Sequence, residues 1–253
     1  MFDDTLLPRH ADPDMVGRLA SPAPHTGFAG IDTFVFDLDN TLYPPHADLW
    51  PKIDHRITVF ISDLFGIDGL SARALQKHYY KRFGTSLNGL MAEHPGAVDA
   101  ARFLDFVHDI DRTTLMVDEA LASAIDRLPG RRLVFTNGST GHAEKTMLAL
   151  GIAHLFDGVF DIVAGGYAPK PQRPTYFKFL AEHGVDPARA IMFEDIAVNL
   201  ETAKTLGMAT VLVVPKAGSG DHREAWEITH VKPPYVDHVT DDLAGFLAAM
   251  TGG

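Results

Sequence analysis

Two aspartates at the end of an apolar run are the first residues in the chain whose types and spacing could do chemistry. Residues 34–42 read Phe-Val-Phe-Asp-Leu-Asp-Asn-Thr-Leu, so Asp37 and Asp39 stand two positions apart. Residues 33–36 predict a short buried strand, which puts Asp37 at its carboxyl end, where open α/β sheets bind ligands. Extended backbone sends both carboxylates to one side, where a divalent cation or a shared proton must offset their repulsion. A hard cation such as Mg²⁺ suits these ligands, and a plain polar turn after a strand is the alternative.

Two further groups could bind an anion. Thr136, Asn137 and Gly138 follow an apolar run and precede a predicted helix, so their hydroxyl and backbone amides would face a ligand at the helix N-terminus. Such residues also begin helices without any function. Lys170 lies in a polar, proline-rich loop, where the alternative to a binding role is a solvated surface charge. The loop lacks the Gly-Lys-Ser/Thr ending of a P-loop, so it does not indicate nucleoside triphosphate binding of that kind.

A second acid pair, Glu194 and Asp195, again ends an apolar run that predicts a strand. Buried acids need a partner, so a metal is one interpretation of the pair. The other is that Asp195 is the N-cap of the following helix, and the two roles can coexist.

The chain lacks the residue patterns of several other kinds of catalysis. It has no cysteine, which excludes thiol nucleophiles and disulfides. No two of its 13 histidines are closer than eight residues, so the helical histidine pair of zinc proteases is absent, and we interpret the histidines as surface or cap residues. The Gly-x-Ser-x-Gly elbow of serine hydrolases is also missing.

Composition limits the partners. A net charge of −11 over 253 residues argues against nucleic acid polymers and anionic membranes, which are bound through clustered Lys and Arg. The chain begins without the basic and apolar segments of a signal peptide, and no apolar run reaches the length of a membrane span. We therefore expect a cytoplasmic enzyme of small molecules, and a homodimer stays open.

Strand and helix patterns alternate after residue 129, which predicts an α/β fold with a doubly wound parallel sheet. An all-helical stretch interrupts this pattern between the first and second strands. The predicted division is an N-terminal arm at 1–30, a core at 31–44 and 129–253, and a helical cap at 45–128. Within these parts we expect helices at 47–65, 70–83, 98–107 and 117–128, a loop at 84–91, and core strands at 132–136, 159–164, 190–193, 209–214 and 235–239.

In chain order, the acid pair, Thr-Asn-Gly, Lys-Pro and Glu-Asp resemble the four motifs of the haloacid dehalogenase-like (HAD) superfamily. The likeness extends over about residues 31–250 and implies that family's Rossmann-like core with an inserted helical cap. In the family's phosphatases the first aspartate is the nucleophile and the second is the general acid/base. Its dehalogenases lack the second acid, so Asp39 indicates phosphoryl chemistry. The resemblance thus implies catalytic roles for Asp37, Asp39, Thr136 and Lys170, and phosphate binding by Thr136, Asn137, Gly138 and Lys170.

The same resemblance implies a Mg²⁺ site. Its ligands would be the carboxylate of Asp37, the backbone carbonyl of Asp39 and the side chain of Asp195, with Glu194 in an outer role. The commonest fourth motif has an aspartate where this chain has Asn199, so the division of metal ligands between the two acids stays open.

The substrate is implied by the cap as well as the motifs. The runs Asp-Leu-Asp-Asn-Thr-Leu-Tyr-Pro and Phe-Gly-Thr-Ser-Leu-Asn-Gly-Leu-Met look most like pyrimidine 5′-nucleotidases, which act on UMP and CMP. Asn88, in the predicted loop, is the candidate for contacting the base, with Tyr79, Tyr80 and Phe83 as possible stacking partners. Alternatives are a phosphatase or phosphomutase for a sugar phosphate or phosphoglycolate, and a non-catalytic binding module.

Overall fold

The structure is a computed structural model that describes residues 28–219 and 221–252. The predicted arm, 1–30, lies outside the described residues apart from its last three. Of these, Phe28 packs edge-on against Phe246 at 5.9 Å between ring centres. Within the described ranges no helix combines the length and the apolar character needed to cross a membrane.

A six-stranded, all-parallel sheet forms the centre of the molecule, in the order β3-β2-β1-β4-β5-β6. The predicted doubly wound fold is therefore confirmed. Strand order reverses at β1, between β2 and β4, and such a switch point opens a crevice at the carboxyl ends of the strands. The strands are β1 (Thr33–Phe36), β2 (Arg131–Phe135), β3 (Gly158–Phe160), β4 (Ala190–Glu194), β5 (Ala209–Val213) and β6 (His238–Thr240).

Strand β1 lies in the middle of the sheet and is buried on both faces because an apolar cluster covers each face. Phe34 and Phe36 belong to the apolar cluster on one face, whereas Val35 belongs to the cluster on the other. Phe36 stacks on Phe193 of the neighbouring β4 with ring centres 4.7 Å apart. This packing holds the ends of β1 and β4 side by side, and their last residues lead directly into the two acid pairs.

Nine α-helices lie within the described ranges, and five of them, α1 to α5, lie between β1 and β2. Most buried apolar side chains of α1 to α4 pack, together with Ile162, into a third apolar cluster, whereas Leu49 of α1 joins one of the two clusters that flank the sheet. The helices are α1 (Leu49–Phe65), α2 (Gly69–Phe83), α3 (Ser86–Glu93), α4 (Ala100–His108), α5 (Glu119–Asp126), α6 (Thr140–Ala149), α7 (Arg173–His183), α8 (Ala197–Leu206) and α9 (Leu243–Met250).

Helix α5 packs with the core. Its buried Leu121, Ala124 and Ile125 join the cluster that covers β1 and includes Phe246 of α9. The predicted cap ran to residue 128 and so included this helix. We propose that the cap ends before it and consists of α1 to α4.

The predicted loop at 84–91 is wrong, because α3 occupies most of it. Thr85 caps this helix by accepting a hydrogen bond from the backbone amide of Asn88 at 3.1 Å. The Asn-Gly pair suggested a turn, but Gly89 serves close packing: a Cβ there would lie 2.4 Å from Cβ of Tyr79. The glycine therefore lets α3 approach α2.

The predicted strand at 159–164 is also too long, since β3 ends at Phe160. Asp161 then accepts hydrogen bonds from the backbone amides of Thr140 and Ala164, both at 2.8 Å, which turns the chain away from the sheet.

Candidate active site

Lys170 joins the two acid pairs at the carboxyl edge of the sheet. Its Nζ donates to Oδ1 of Asp37 at 2.7 Å, to Oε2 of Glu194 at 2.6 Å, and to the backbone carbonyl of Phe135 at 2.8 Å. The side chain is 1% exposed, so the alternative of a solvated surface charge is wrong. Three neighbouring strand ends thus meet around one buried ammonium group.

The carboxylates around Lys170 outnumber it. Burial, with Glu194 second, raises the pKa of Asp37 to about 7, and burial with Glu194 raises the pKa of Asp195 well above its usual range. Burial opposes the charge of Lys170, yet Asp37 and Glu194 together raise its pKa above the ordinary lysine value. Lys170 therefore contacts two of these three buried acids, and Arg223, which donates to the backbone carbonyl of Asp195 at 3.3 Å, is already paired with Asp221.

This excess of negative charge suits a metal ion. Asp37, Glu194 and Asp195 each offer one oxygen, and the three oxygens lie within 4.8 Å of one another. Hard divalent cations prefer such oxygen ligands. Both oxygens of Glu194 are already engaged, since Oε2 accepts from Lys170 at 2.6 Å and Oε1 from the backbone amide of Ile196 at 3.2 Å.

The predicted phosphate-binding turn lies beside this cluster. The backbone amide of Gly138 donates to Oγ1 of Thr136 at 2.9 Å, which leaves the hydroxyl hydrogen of Thr136 to be donated to a ligand. Asn137 accepts from the backbone amide of Lys170 at 2.8 Å and so ties the turn to the lysine loop. Helix α6 begins two residues later, with Ser139 as its N-cap.

Asp39 has a different environment from Asp37. Its Oδ1 accepts a hydrogen bond from the hydroxyl of Tyr43 at 2.5 Å and lies 2.8 Å from Nε2 of His142. Burial alone would raise the pKa of Asp39, but His142 and then Tyr43 hold it down at about 2. Asp37 and Asp39 therefore keep different protonation preferences although they are two residues apart.

His142 and His108 were missed in the sequence, where histidines were interpreted as surface or cap residues. Both rings are buried and stack with centres 4.5 Å apart. His142 stands in the first turn of the helix that follows the Thr-Asn-Gly motif, and that position was the available signal. His108 ends α4 and offered no local signal.

A cavity separates this cluster from the cap and encloses about 1070 Å³ of space, part of it open to solvent. Its lining includes all the predicted core site residues: Asp37, Asp39, Thr136, Asn137, Gly138, Lys170, Glu194 and Asp195. Asn199, the departure from the family pattern, also lines it. The structure thus brings the four motifs together around one cavity.

The opposite wall, the cap wall, comes from α1 to α4 and a segment of the core, residues 221–227. Lys77 of α2 lies 2.7 Å from Oδ1 of Asp54 and 2.5 Å from Oε1 of Glu224. Tyr80 of α2 donates its hydroxyl to Glu227. These contacts join the cap to the core along one side of the cavity.

The predicted cap candidates separate into two groups. Tyr80 lines the cavity, whereas Asn88, Tyr79 and Phe83 do not. Tyr79 packs inside the cap with its hydroxyl 2.6 Å from Nε2 of His94, and Asn88 donates its Nδ2 to the backbone carbonyl of Phe83 at 3.0 Å. Substrate binding by Asn88 stays a prediction from the sequence alone.

Three proteins of known description share parts of the sequence. Phosphate metabolism protein 8 of Saccharomyces cerevisiae is 27% identical over 194 residues, which cover 71% of this chain and 60% of the yeast protein. Enolase-phosphatase E1 of Frankia alni is 34% identical over 100 residues, or 36% of this chain and 41% of that protein. The chain thus spans less than two thirds of both relatives. Fructose-1-phosphate phosphatase YqaB of Escherichia coli is 25% identical over 195 residues, covering 73% of this chain and 95% of that protein.

Solved structures share the fold at lower identity. A HAD phosphatase from Thermococcus onnurineus superposes with a TM-score of 0.57 at 18% identity, covering 88% of this chain and 99% of that one. The L-2-haloacid dehalogenase of Xanthobacter autotrophicus, with chloropropionic acid covalently bound, gives 0.52 at 15% identity with the same coverage. Phosphatase and dehalogenase therefore both share this architecture.

The sequence model of the haloacid dehalogenase-like hydrolase family matches residues 31–207. This match spans all four motifs and includes the cap insertion. Together with the six-stranded parallel sheet and the convergence of the motifs at its carboxyl edge, it shows that the chain belongs to the haloacid dehalogenase-like hydrolase family.

Proposed function

We propose that the protein is a phosphomonoesterase that works through an aspartyl-phosphate on Asp37. The observation that carries this proposal is Asp39, a second carboxylate that lines the same cavity and is held there by two hydrogen bonds. Ester hydrolysis needs a group that protonates a leaving alkoxide, and the family's dehalogenases lack this acid. The relatives named as phosphatases support the same reaction.

In this reaction an oxygen of Asp37 attacks phosphorus in line with the leaving group. Asp39, which is ionised in the free protein, takes up a proton with the arriving phosphate monoester, gives it to the departing alkoxide, and later takes one from the water that hydrolyses the aspartyl-phosphate. General acid/base catalysis supplies only about 10² to 10⁴ of the large acceleration that phosphate esters need. Positioning and electrostatic stabilisation must supply the rest.

The groups around Asp37 suit that electrostatic role. Lys170, the hydroxyl of Thr136 and the backbone amide of Asn137 would bind the oxygens of the transferring phosphoryl group, while the amide of Gly138 orients that hydroxyl by donating to its oxygen. Helix α6 begins directly after this turn, and the partial positive charge at a helix N-terminus favours an anion. Donors fixed before the reaction need little reorganisation as charge develops.

We propose Mg²⁺ as the cofactor, held by the carboxylates of Asp37 and Asp195 and the backbone carbonyl of Asp39. Glu194 would have an outer role, since both of its oxygens already accept hydrogen bonds. When bound, the ion would offset the repulsion between the buried carboxylates and an incoming phosphate.

The proposed substrate is a pyrimidine nucleoside 5′-monophosphate, UMP or CMP. The cavity continues from the acid cluster to aromatic side chains of Trp50, Tyr80 and Phe103, whose faces could stack on a base. A sugar phosphate is the second candidate, supported by the match over 95% of the fructose-1-phosphate phosphatase.

Phosphate release in the presence of Mg²⁺ tests both the phosphatase activity and the preference for pyrimidine nucleotides. The esters to compare are UMP, CMP, purine 5′-monophosphates, phosphoglycolate, fructose 1-phosphate and other hexose phosphates. We expect the highest kcat/KM for UMP or CMP, with D37N as the inactive control. A sugar phosphate that exceeds both by about tenfold or more would overturn the nucleotidase assignment and keep the phosphatase. If no ester releases phosphate, the phosphatase assignment is overturned.

A further inference from the structure

We propose that His142, held in one tautomer by Arg112, is the positioning residue that orients the carboxylate of Asp39 for proton exchange. The inference rests on the proposed function, because it concerns the acid/base step of phosphoester hydrolysis. Arg112, His142 and Asp39 form a continuous row of side chains from the half-buried arginine to the cavity.

His142 contacts one of these neighbours through each ring nitrogen. Its Nε2 lies 2.8 Å from Oδ1 of Asp39, and its Nδ1 lies 2.9 Å from Nη2 of Arg112. A guanidinium group can only donate hydrogen bonds, so Nδ1 must be the acceptor and carries no hydrogen. The ring hydrogen therefore sits on Nε2 and is donated to Asp39.

Arg112 is itself held in place. Its Nε donates to Oγ1 of Thr146 at 3.2 Å, and its Nη1 donates to the carbonyl of Ile110 at 3.0 Å. Its Nη2 also donates to the carbonyl of His108 at 3.2 Å. The guanidinium plane is thus fixed by three acceptors besides His142, which keeps the tautomer of the imidazole defined.

His108 fixes the plane of the His142 ring. The two rings stack with an angle of 17° between their planes, and Nδ1 of His108 lies 2.9 Å from Oγ of Ser139. Burial lowers the pKa of His108 to about 3, so it is uncharged near neutral pH and stacks without charge repulsion. His142 is only 1% exposed and is confined on both edges and on one face.

The consequence for Asp39 is that its two oxygens differ. Oδ1 accepts both from His142 and from Tyr43, so Oδ2 is the oxygen left for proton exchange. As the Asp37–phosphorus bond forms and the ester P–O bond breaks, the proton passes from Oδ2 to the leaving oxygen. When water attacks phosphorus and the Asp37–phosphorus bond breaks, a water proton returns to Oδ2.

The test compares leaving groups in two variants of similar bulk, H142L and H142Q. Leucine removes both ring contacts, whereas glutamine keeps a donor for Asp39 and an acceptor for Arg112. In H142L we expect kcat/KM to fall about 100-fold for an alkyl phosphate but less than about tenfold for p-nitrophenyl phosphate, whose leaving group needs little protonation. H142Q should restore most of the loss, and H154L, at an exposed histidine, should behave as wild type.

An equal loss for both substrates in folded H142L, or no loss, would overturn the inference, as would a folded H142Q that is as impaired as H142L. If H142L does not fold, Y43F removes the other donor to Oδ1 and should change the leaving-group ratio in the same direction. Imidazole ¹⁵N NMR of the wild-type protein with Mg²⁺ should show His142 protonated at Nε2 and bare at Nδ1; the opposite tautomer would overturn the inference. A wild type that hydrolyses no phosphate ester would instead overturn the proposed function.

Discussion

The two walls of the cavity neutralise their charges differently. On the core wall, Asp37, Glu194 and Asp195 are buried around a single ammonium group, that of Lys170. On the cap wall, by contrast, the acids have their own partners. Asp54 pairs with both Arg73 and Lys77, Glu224 also contacts Lys77, and Glu227 accepts from the hydroxyl of Tyr80 and from the backbone amide of Glu224.

This difference indicates which wall needs a proton or a cation from solution. Buried carboxylates without enough counter-charge are costly unless they take up protons or bind a cation. The core wall therefore keeps an excess of negative charge, whereas each acid named on the cap wall already has a cation or a hydrogen-bond donor as its partner. Chemistry is expected on the first wall and substrate selection on the second.

The largest expected effect comes from a matched pair of substitutions, one on each wall. D37N should lower hydrolysis of p-nitrophenyl phosphate by at least about 1000-fold, because it removes the nucleophile. D54N changes a part-buried acid on the cap wall in the same way and should keep kcat for this small substrate within about threefold. Similar losses in both variants would contradict the division of labour between the walls.

Removal of the Lys170 ammonium group should lower stability as well as activity. K170M leaves Asp37 and Glu194 buried without their counter-charge, so we expect the free energy of unfolding to fall by about 3–5 kcal/mol without metal. The double variant K170M/E194Q removes one of these charges and should recover part of that loss while staying inactive. Urea unfolding monitored by circular dichroism measures both effects, and a stable K170M would show that the core wall does not depend on its lysine.

Metal binding should depend on pH because the pKa of Asp37 is raised, chiefly by burial, from its ordinary value of 3.8 to about 7. The folded protein then keeps a proton that the unfolded chain releases between these values, so this group's contribution to the stability of metal-free protein declines as pH rises through that window. Mg²⁺ competes with the proton, and its increase in Tm should be larger at about pH 8 than at about pH 5. A Tm increase independent of pH would argue against Asp37 as a ligand.

Chelation should abolish activity while the far-ultraviolet circular dichroism stays unchanged.

The smallest expected effects are on the cap wall. Y80L removes a side chain that lines the cavity and should change the ranking of phosphate esters by about tenfold in kcat/KM, with little change for p-nitrophenyl phosphate.

N88A removes a hydrogen bond to the carbonyl of Phe83 and should lower Tm slightly without changing the ranking of phosphate esters. A changed ranking in N88A would support the substrate contact predicted from the sequence.

The core wall could be predicted almost completely because its residues are local to the elements that place them. Asp37, Thr136 and Glu194 each stand at the point where an apolar strand becomes polar, and parallel strands bring such points to one edge. The cap wall was predicted less well. Asn88 and Gly89 have the residue types of a turn, yet the packing of α3 against Tyr79 makes this stretch a helix.

By itself, the sequence determined the order of the strands along the chain, the acids and the lysine at their ends, and the insertion of a helical cap. These properties follow from patterns that span a few residues. Only the tertiary structure decided which side chains surround Asp39, since His142 lies 103 residues from it in the chain and Arg112 another 30 from His142. Hydrogen bonds between such distant residues depend on how α4 and α6 pack beside β1, and local sequence patterns carry no information about that distance.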